Sequence, residues 1–200
     1  MTIRVIEPPH PFLTPADIDN VDQETIDAVV GEIDGPDGWL GRAIGAQTLE
    51  WSFAEWQGRN LLLPCAPVIE IVSVSCTDTK GVEHTVDSVN YAKTGDYLWF
   101  KPVWHMPSLG CYPEAVRIRY RAGYDNRPVA DGGTGPIPAQ IRKAVKLTCQ
   151  YLQAIGKDDL FLQVDEVDGV GRRQYVVSET AAKIIHDAAE RLLGGMRHYA

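Results

Sequence analysis

Residues 115–121 alternate without a break: Val116, Ile118 and Tyr120 fall on one side, Arg117, Arg119 and Arg121 on the other. A period of two is the signature of a β-strand that lays one face on a core and turns the other outward. Such a strand needs hydrogen-bonded neighbours and an apolar layer beneath it, so the rest of the chain must supply both. The preceding segments do. Leu49, Trp51 and Phe53 alternate with Thr48, Glu50 and Ser52, which predicts a second half-buried strand. Leu61, Leu62 and Leu63 run up to Pro64, and residues 68–77 are dense in β-branched side chains. Asp78, Thr79, Lys80 and Gly81 supply turn chemistry before Val82–Val86, and Tyr97–Phe100 forms another short strand. Short antiparallel strands with turns between them imply a small sheet or open barrel.

Helical periods flank this region. Thr14, Pro15 and Asp17 read as an N-cap, a proline at the first helical position and an acid near the positive helix end. Asp22 can cap a helix in which Ile26, Val29, Val30 and Ile33 keep i, i+3, i+4, i+7 spacing; Gly35-Pro36 must break it, with Leu40 and Ile44 resuming the stripe. After a flexible joint at residues 131–136, Pro138 opens a helix with Ile141, Ala144, Val145, Thr148, Leu152 and Ile155 on one stripe, ended by Gly156. Residues 157–177 are acidic, contain glycines and have no helical period, which suits an extended arm or loose hairpin. Ser178 then caps a last helix with Ala181, Ile184, Ile185, Ala188 and Leu192 inward, stopped by Gly194-Gly195. The expected class is α+β: a helical bundle or hairpin with an inserted antiparallel β-sheet module, an extended C-terminal arm and a terminal helix. Its expected parts are residues 1–45 (helical), 46–124 (β-rich insertion), 125–156 (second helical part) and 157–200 (arm and C-terminal helix).

Composition narrows the function classes. The 200 residues are 44% hydrophobic and 23% charged, as in globular chains, and no apolar run approaches the ~20 residues of a membrane span. No signal-peptide-like apolar region follows Met1, so cytoplasm is the expected place of synthesis, with no membrane partner. The net charge of −8 is uneven: residues 1–100 hold 5 Lys/Arg against 16 Asp/Glu (−11), residues 101–200 hold 14 against 11 (+3). An acidic front half argues against a dedicated nucleic-acid binder and suits a surface that stays near DNA without gripping it. Cys65, Cys76, Cys111 and Cys149 are widely spaced and read as small hydrophobes rather than ligands.

Catalytic and cofactor templates are missing. The chain has no G-x-S-x-G, H-E-x-x-H, Walker A or G-x-G-x-x-G pattern, and its five histidines never fall three or four apart. Asp165, Glu166 and Asp168 before Gly169 lack the alternation of a calcium loop. No enzyme activity, metal or cofactor is expected. Three surfaces remain. The Arg117, Arg119, Arg121 ladder is open to three readings: a solvated face, a phosphate contact, or a contact with a neighbouring copy's carboxylates. Arg172, Arg173 and Tyr175 in the arm are further candidates for a subunit contact. Trp104, His105 and Met106, in a proline-flanked loop, read either as a partner-binding knob or as a loop folded back onto its own sheet.

In order along residues 12–195, the chain resembles the head–tail connector (adaptor) family of long-tailed phages, prophages and gene transfer agents. The resemblance rests on residues 12–17, the helix-to-strand passage from Gly41 to Glu50, the proline step Leu63-Pro64-Cys65-Ala66-Pro67-Val68, the turn at residues 77–83 and the strand Val116–Tyr124. It continues through Ile137–Ala144 and the linker Glu166–Ser178. It implies a virion neck protein: a homo-oligomeric ring, commonly twelve-fold, docked beneath the portal protein, extending the DNA channel and meeting a head-completion or other tail-side neck protein. It places the portal contact on the last helix and tail: Leu192, Leu193, Met196, Arg197, His198 and Tyr199. DNA would pass without sequence-specific binding, through a lumen expected to be acidic. The rival reading is a small nucleic-acid-binding module using sheet aromatics and the arginine ladder.

Overall fold

The computed structural model describes residues 1–157, 165–167, 171–173 and 179–197. The chain divides into two compact units, one containing residues 1–10 and 33–137, the other residues 11–32 and 138–197. The class is α+β, with three α-helices and antiparallel sheets among the described residues.

The first unit is built on a five-stranded antiparallel sheet. Its strands are β1 (Thr2–Glu7), β2 (Gln47–Phe53), β4 (Val68–Thr77), β5 (Glu83–Thr85) and β8 (Val116–Ala122), in the order β1-β2-β8-β4-β5. The central β8 pairs with β2 through Leu49↔Tyr120 and Trp51↔Ile118, and with β4 through Ile71↔Tyr120 and Val74↔Ile118. Its alternation is realised in full: Val116, Ile118 and Tyr120 are sealed in the core and the arginines lie on the opposite face. The Tyr120 hydroxyl donates to the Pro64 carbonyl at 2.8 Å, which satisfies the one polar atom carried into that layer. A second sheet of β3 (Asn60–Leu62), β6 (Tyr91–Thr94) and β7 (Tyr97–Phe100), in the order β3-β7-β6, contributes Leu61, Leu98 and Phe100 to the same core. On its other face the register brings together Asn60, Leu62, Tyr97, Trp99, Ala92 and Thr94, none of them charged.

Three details differ from the sequence-based expectation. Residues 2–7, expected within a helical part, form the edge strand β1, because Thr2 to Val5 find register partners in Ser52 to Leu49. Helix α1 (Gln23–Ile33), capped by Asp22 accepting from the Thr25 amide at 2.7 Å, ends before Asp34. Leu40 and Ile44 are fully buried without being helical, since Gly35 adopts φ +78° ahead of Pro36 and turns the chain. Strand β2 is buried on both faces rather than half-buried, because strands flank it on either side and Glu50 and Thr48 hydrogen-bond to neighbours.

The second unit holds most of α1, α2 (Ala139–Lys157) and α3 (Glu179–Gly194), with α2 packed against α3. Thr14, Pro15 and Asp17 form a single 3-10 turn in which Asp17 accepts from the Thr14 amide at 3.0 Å. Ile26, Val29, Ile141, Ala144 and Val145 are buried as their spacing predicts, but Cys149 takes the inner place and Leu152 is exposed. Strands β9 (Asp165–Val167) and β10 (Gly171–Arg173) pair antiparallel, with Arg172 opposite Glu166. No helix among the described residues is long and apolar enough to cross a membrane.

Candidate assembly surfaces

The outer face of the five-stranded sheet is a set of ion pairs within the chain. Arg119 donates to Glu50 on β2 at 2.8 Å, Arg121 to Glu70 on β4 at 2.9 Å, and Arg117 lies 3.5 Å from Glu83 on β5. Arg4 on β1 makes a bidentate pair with Glu114. Four arginines thus face four glutamates, and the carboxylates that meet the ladder come from its own sheet. A free cationic stripe for phosphate is not what this face presents. Sequence reasoning missed the pairing because Glu50, Glu70 and Glu83 are distant in sequence from β8 and only strand register brings them together.

The Trp104 loop also turns inward. Trp104 stacks on Phe100 with ring centroids 5.0 Å apart and meets Trp56 edge-on at 5.5 Å. Arg59 donates to the Trp104 carbonyl at 3.0 Å, and Trp56 Nε1 to the Pro107 carbonyl at 3.1 Å. Trp104 and Met106 are partly buried against the core, the geometry of a loop folded onto its own sheet, and His105 alone of the three is exposed.

In the second unit, the C-terminal candidates separate by burial. Leu193 is 4% exposed and belongs to the core with Ala189, one position along from the stripe expected at Ala188 and Leu192. As a core side chain, Leu193 is removed from the candidate portal contacts. Leu192 lines a shallow groove with Asp187, Ala188 and Arg191, Met196 is half-buried and Arg197 exposed. His198, Tyr199 and Tyr175 lie outside the described residues, and of Arg172 and Arg173 the backbone alone is described. Residues 11–32 carry Asp17, Asp19, Asp22, Glu24, Asp27 and Glu32, all exposed, and no lysine or arginine. Hydrogen bonds from Thr14 hold the Asp17 carboxyl below its usual range, and those from Thr25 do the same for Asp22. Both stay charged.

Reactive chemistry finds little support. Burial pushes the Cys65 thiol up to about 12 and Cys149 up to about 11, away from the thiolate a nucleophile needs. The His84 ring bonds Asp78 at 2.8 Å and, with the Val82 and Lys80 amides, holds that carboxyl near 2. The Val82 and Lys80 amides donate to the same side chain, so this pair organises the β4–β5 turn. Among the described residues no cluster of three or more His, Cys, Asp or Glu side chains could hold a metal ion.

No family model matches the sequence, and no curated protein is similar to it. Solved structures are similar in fold. A chain in the neck of a native gene transfer agent particle, computed with C12 symmetry, superposes with a TM-score of 0.65 at 18% identity, covering 100% of this chain and 97% of that one. A chain of the virion of a native gene transfer agent particle gives 0.61 at 16% identity, covering 100% and 97%. A chain in the neck of the empty particle, computed with C6 symmetry, gives 0.55 at 18% identity, covering 88% and 76%. The fold is therefore that of chains found in the neck and virion of such particles, over all of this chain and nearly all of those.

Proposed function

We propose that the chain is a non-enzymatic head–tail connector subunit, one segment of a homo-oligomeric ring in the neck of a phage-like particle. The observation that carries this reading is the end-to-end likeness to a neck chain of a twelve-fold symmetric assembly. At that identity the likeness speaks for the fold, and the internal chemistry supplies the rest. The arginines are neutralised by the chain's own glutamates. Residues 11–32 carry six exposed carboxylates and no lysine or arginine of their own. A wall beside passing DNA works best when it repels phosphate, so this segment is assigned to the lumen. Leu192, Met196 and Arg197 on the last helix and after it are assigned to the portal protein above, and the tail-side neck protein binds the opposite end of the ring. The alternative, a nucleic-acid-binding module using sheet aromatics and the arginine ladder, is weakened by the pairing of those arginines within the chain.

Negative-stain imaging of the purified chain mixed with a purified portal protein of a gene transfer agent-type particle tests the reading. A ring stacked on one end of the portal is the expected result. Portal particles that stay bare at saturating concentrations of the chain overturn it.

A further inference from the structure

The second unit carries two helix faces of opposite charge. Helix α1 buries Ile26, Val29 and Ile33. Its opposite face repeats at i, i+3, i+4, i+7 through Glu24, Asp27, Ala28 and Gly31, all exposed, with the exposed Glu32 beside them. Helix α2 buries Ile141, Ala144, Val145 and Cys149. Its opposite face keeps the same repeat in Ala139, Arg142, Lys143 and Lys146, and the whole helix contains no acid. Lys146 is half-buried and donates to the Asp17 carbonyl at 2.8 Å, which leaves Arg142 and Lys143 as the exposed cations. No ion pair among the described residues includes Glu24, Asp27, Glu32, Arg142 or Lys143. The five-stranded sheet, by contrast, pairs each arginine of its outer face with a glutamate of its own.

Three features of these faces do nothing for the isolated chain. The last turn of α1 holds Glu32 and no cation, and the first turn of α2 holds Arg142 and no acid. Each charge has the wrong sign for its own helix end, because backbone dipoles leave a helix negative at its C-terminus and positive at its N-terminus. Gly31 lies within α1, where glycine weakens a helix, yet a Cβ there would meet nothing within 4 Å.

One arrangement accounts for all three. A copy of α2 laid antiparallel along α1 brings Gly31 level with Ala139, Asp27 with Lys143 and Glu24 with Lys146, since both faces advance by the same steps. Small side chains at one end let the axes approach, Glu32 reaches the positive end of α2, and Arg142 the negative end of α1. We infer that α1 of one copy docks antiparallel on α2 of the next copy, with Asp27 and Glu32 meeting Lys143 and Arg142. Two different faces on one chain make a heterologous contact, the kind that closes into a ring when the rotation divides the circle. This rests on the ring reading above and names the residues that join the subunits. It also divides the acidic segment: Asp17, Asp19 and Asp22, ahead of α1, stay with the lumen, and the carboxylates of α1 turn to the neighbouring copy. The contact drives self-association of the purified full-length chain at low salt.

Sedimentation velocity over a concentration series, at low and high salt, tests it on the wild type, Asp27→Lys/Glu32→Lys and Arg142→Glu/Lys143→Glu. All four positions are exposed, and each variant takes a wrong-sign charge off a helix end, so both should fold; melting curves check this. The wild type should assemble beyond a dimer, less so at high salt, and each variant alone should associate about tenfold or more weakly. An equimolar mixture of the two variants should recover wild-type assembly, because each reversed face then meets the other variant's reversed face. Should a double substitution fail to fold, Asp27→Lys and Lys143→Glu, alone and mixed, decide instead. Variants that assemble like the wild type, a mixture that does not recover, assembly that stops at a dimer, or a wild type monomeric throughout each overturn the inference. Duplex DNA held by the wild type and lost by Arg142→Glu/Lys143→Glu, with assembly unchanged, gives the α2 face to nucleic acid and overturns it too. In every such case a ring on the portal leaves the ring reading intact, and a bare portal removes it.

Discussion

The guanidinium of Arg119 donates to the Glu50 carboxylate at 2.8 Å across β8 and β2, and the two partners are unequally exposed: 42% of the arginine side chain and 11% of the glutamate. Losing the arginine strands a buried carboxylate, whereas losing the glutamate leaves a cation that can turn to water. Arg119→Ala should therefore cost about 2 kcal/mol of stability and Glu50→Gln about 1 kcal/mol. Urea unfolding of both variants and of the double variant measures the order. Equal or reversed losses contradict the burial asymmetry.

Gly123 follows β8 at φ +110°, and a Cβ there would sit 2.2 Å from the Gly45 carbonyl oxygen. The clash is with backbone that is itself fixed, since the Tyr124 amide donates to the Ile44 carbonyl at 2.9 Å. Gly123→Ala should destabilise by about 3 kcal/mol or more, combining strain with displacement of that hydrogen bond. A thermal melt within a degree or two of wild type rules this out.

These two positions also show what the sequence made legible. The alternation of β8 and the apolar spacing of α1 need no tertiary knowledge, because burial on one face imposes a period along the chain itself. Glu50 as the partner of Arg119 and Gly45 as the neighbour of Gly123 depend on register between segments far apart in sequence. β1 was missed for the same reason: Thr2–Glu7 carries no strong period and becomes a strand through β2. Trp104 was ambiguous because an aromatic on a loop serves a partner or its own core equally well until the Phe100 ring beneath it is located.

Asp125 offers a pH-dependent readout. Burial acts to raise its pKa, but the Thr134 amide and the Arg127 guanidinium, with further bonds from the Arg127 amide and the Thr134 hydroxyl, bring it down to about 2. These bonds tie Asp125 and Arg127 to Thr134 in the loop that precedes α2. A carboxyl depressed in the folded state contributes stability above its unfolded pKa of ~3.9, and that contribution is lost as pH falls through about 2. Asp125→Asn should be less stable than wild type by about 1–2 kcal/mol from pH 5 to 7. The gap should close as pH drops from about 4 towards 2, as followed by urea titrations at stepped pH. A gap that does not change with pH shows that the charge plays no part.

The last helix separates folding from docking. Leu193 is core, so Leu193→Ala should lower stability by about 2–4 kcal/mol through the cavity it leaves. Met196→Asp, on a half-buried side chain beyond the helix, should leave the melt nearly unchanged and weaken portal binding. Calorimetric melts paired with portal pull-down distinguish the two; a Met196→Asp chain that binds as wild type moves the portal contact elsewhere.

The strand order has a consequence for how the molecule comes off the ribosome. β2 finds one neighbour behind it, at residues 2–7, but its other neighbour ends at Ala122, and β4 also pairs with β8. Until residues 116–122 emerge, β2 and β4 have no central strand to join, and α1 waits longer still for the helices of its unit, which begin at Ala139. Such long-range pairing makes folding slow and leaves apolar strands briefly unpaired. Chains released early by a stalled ribosome, short of β8, should therefore be a source of aggregation rather than of half-formed subunits.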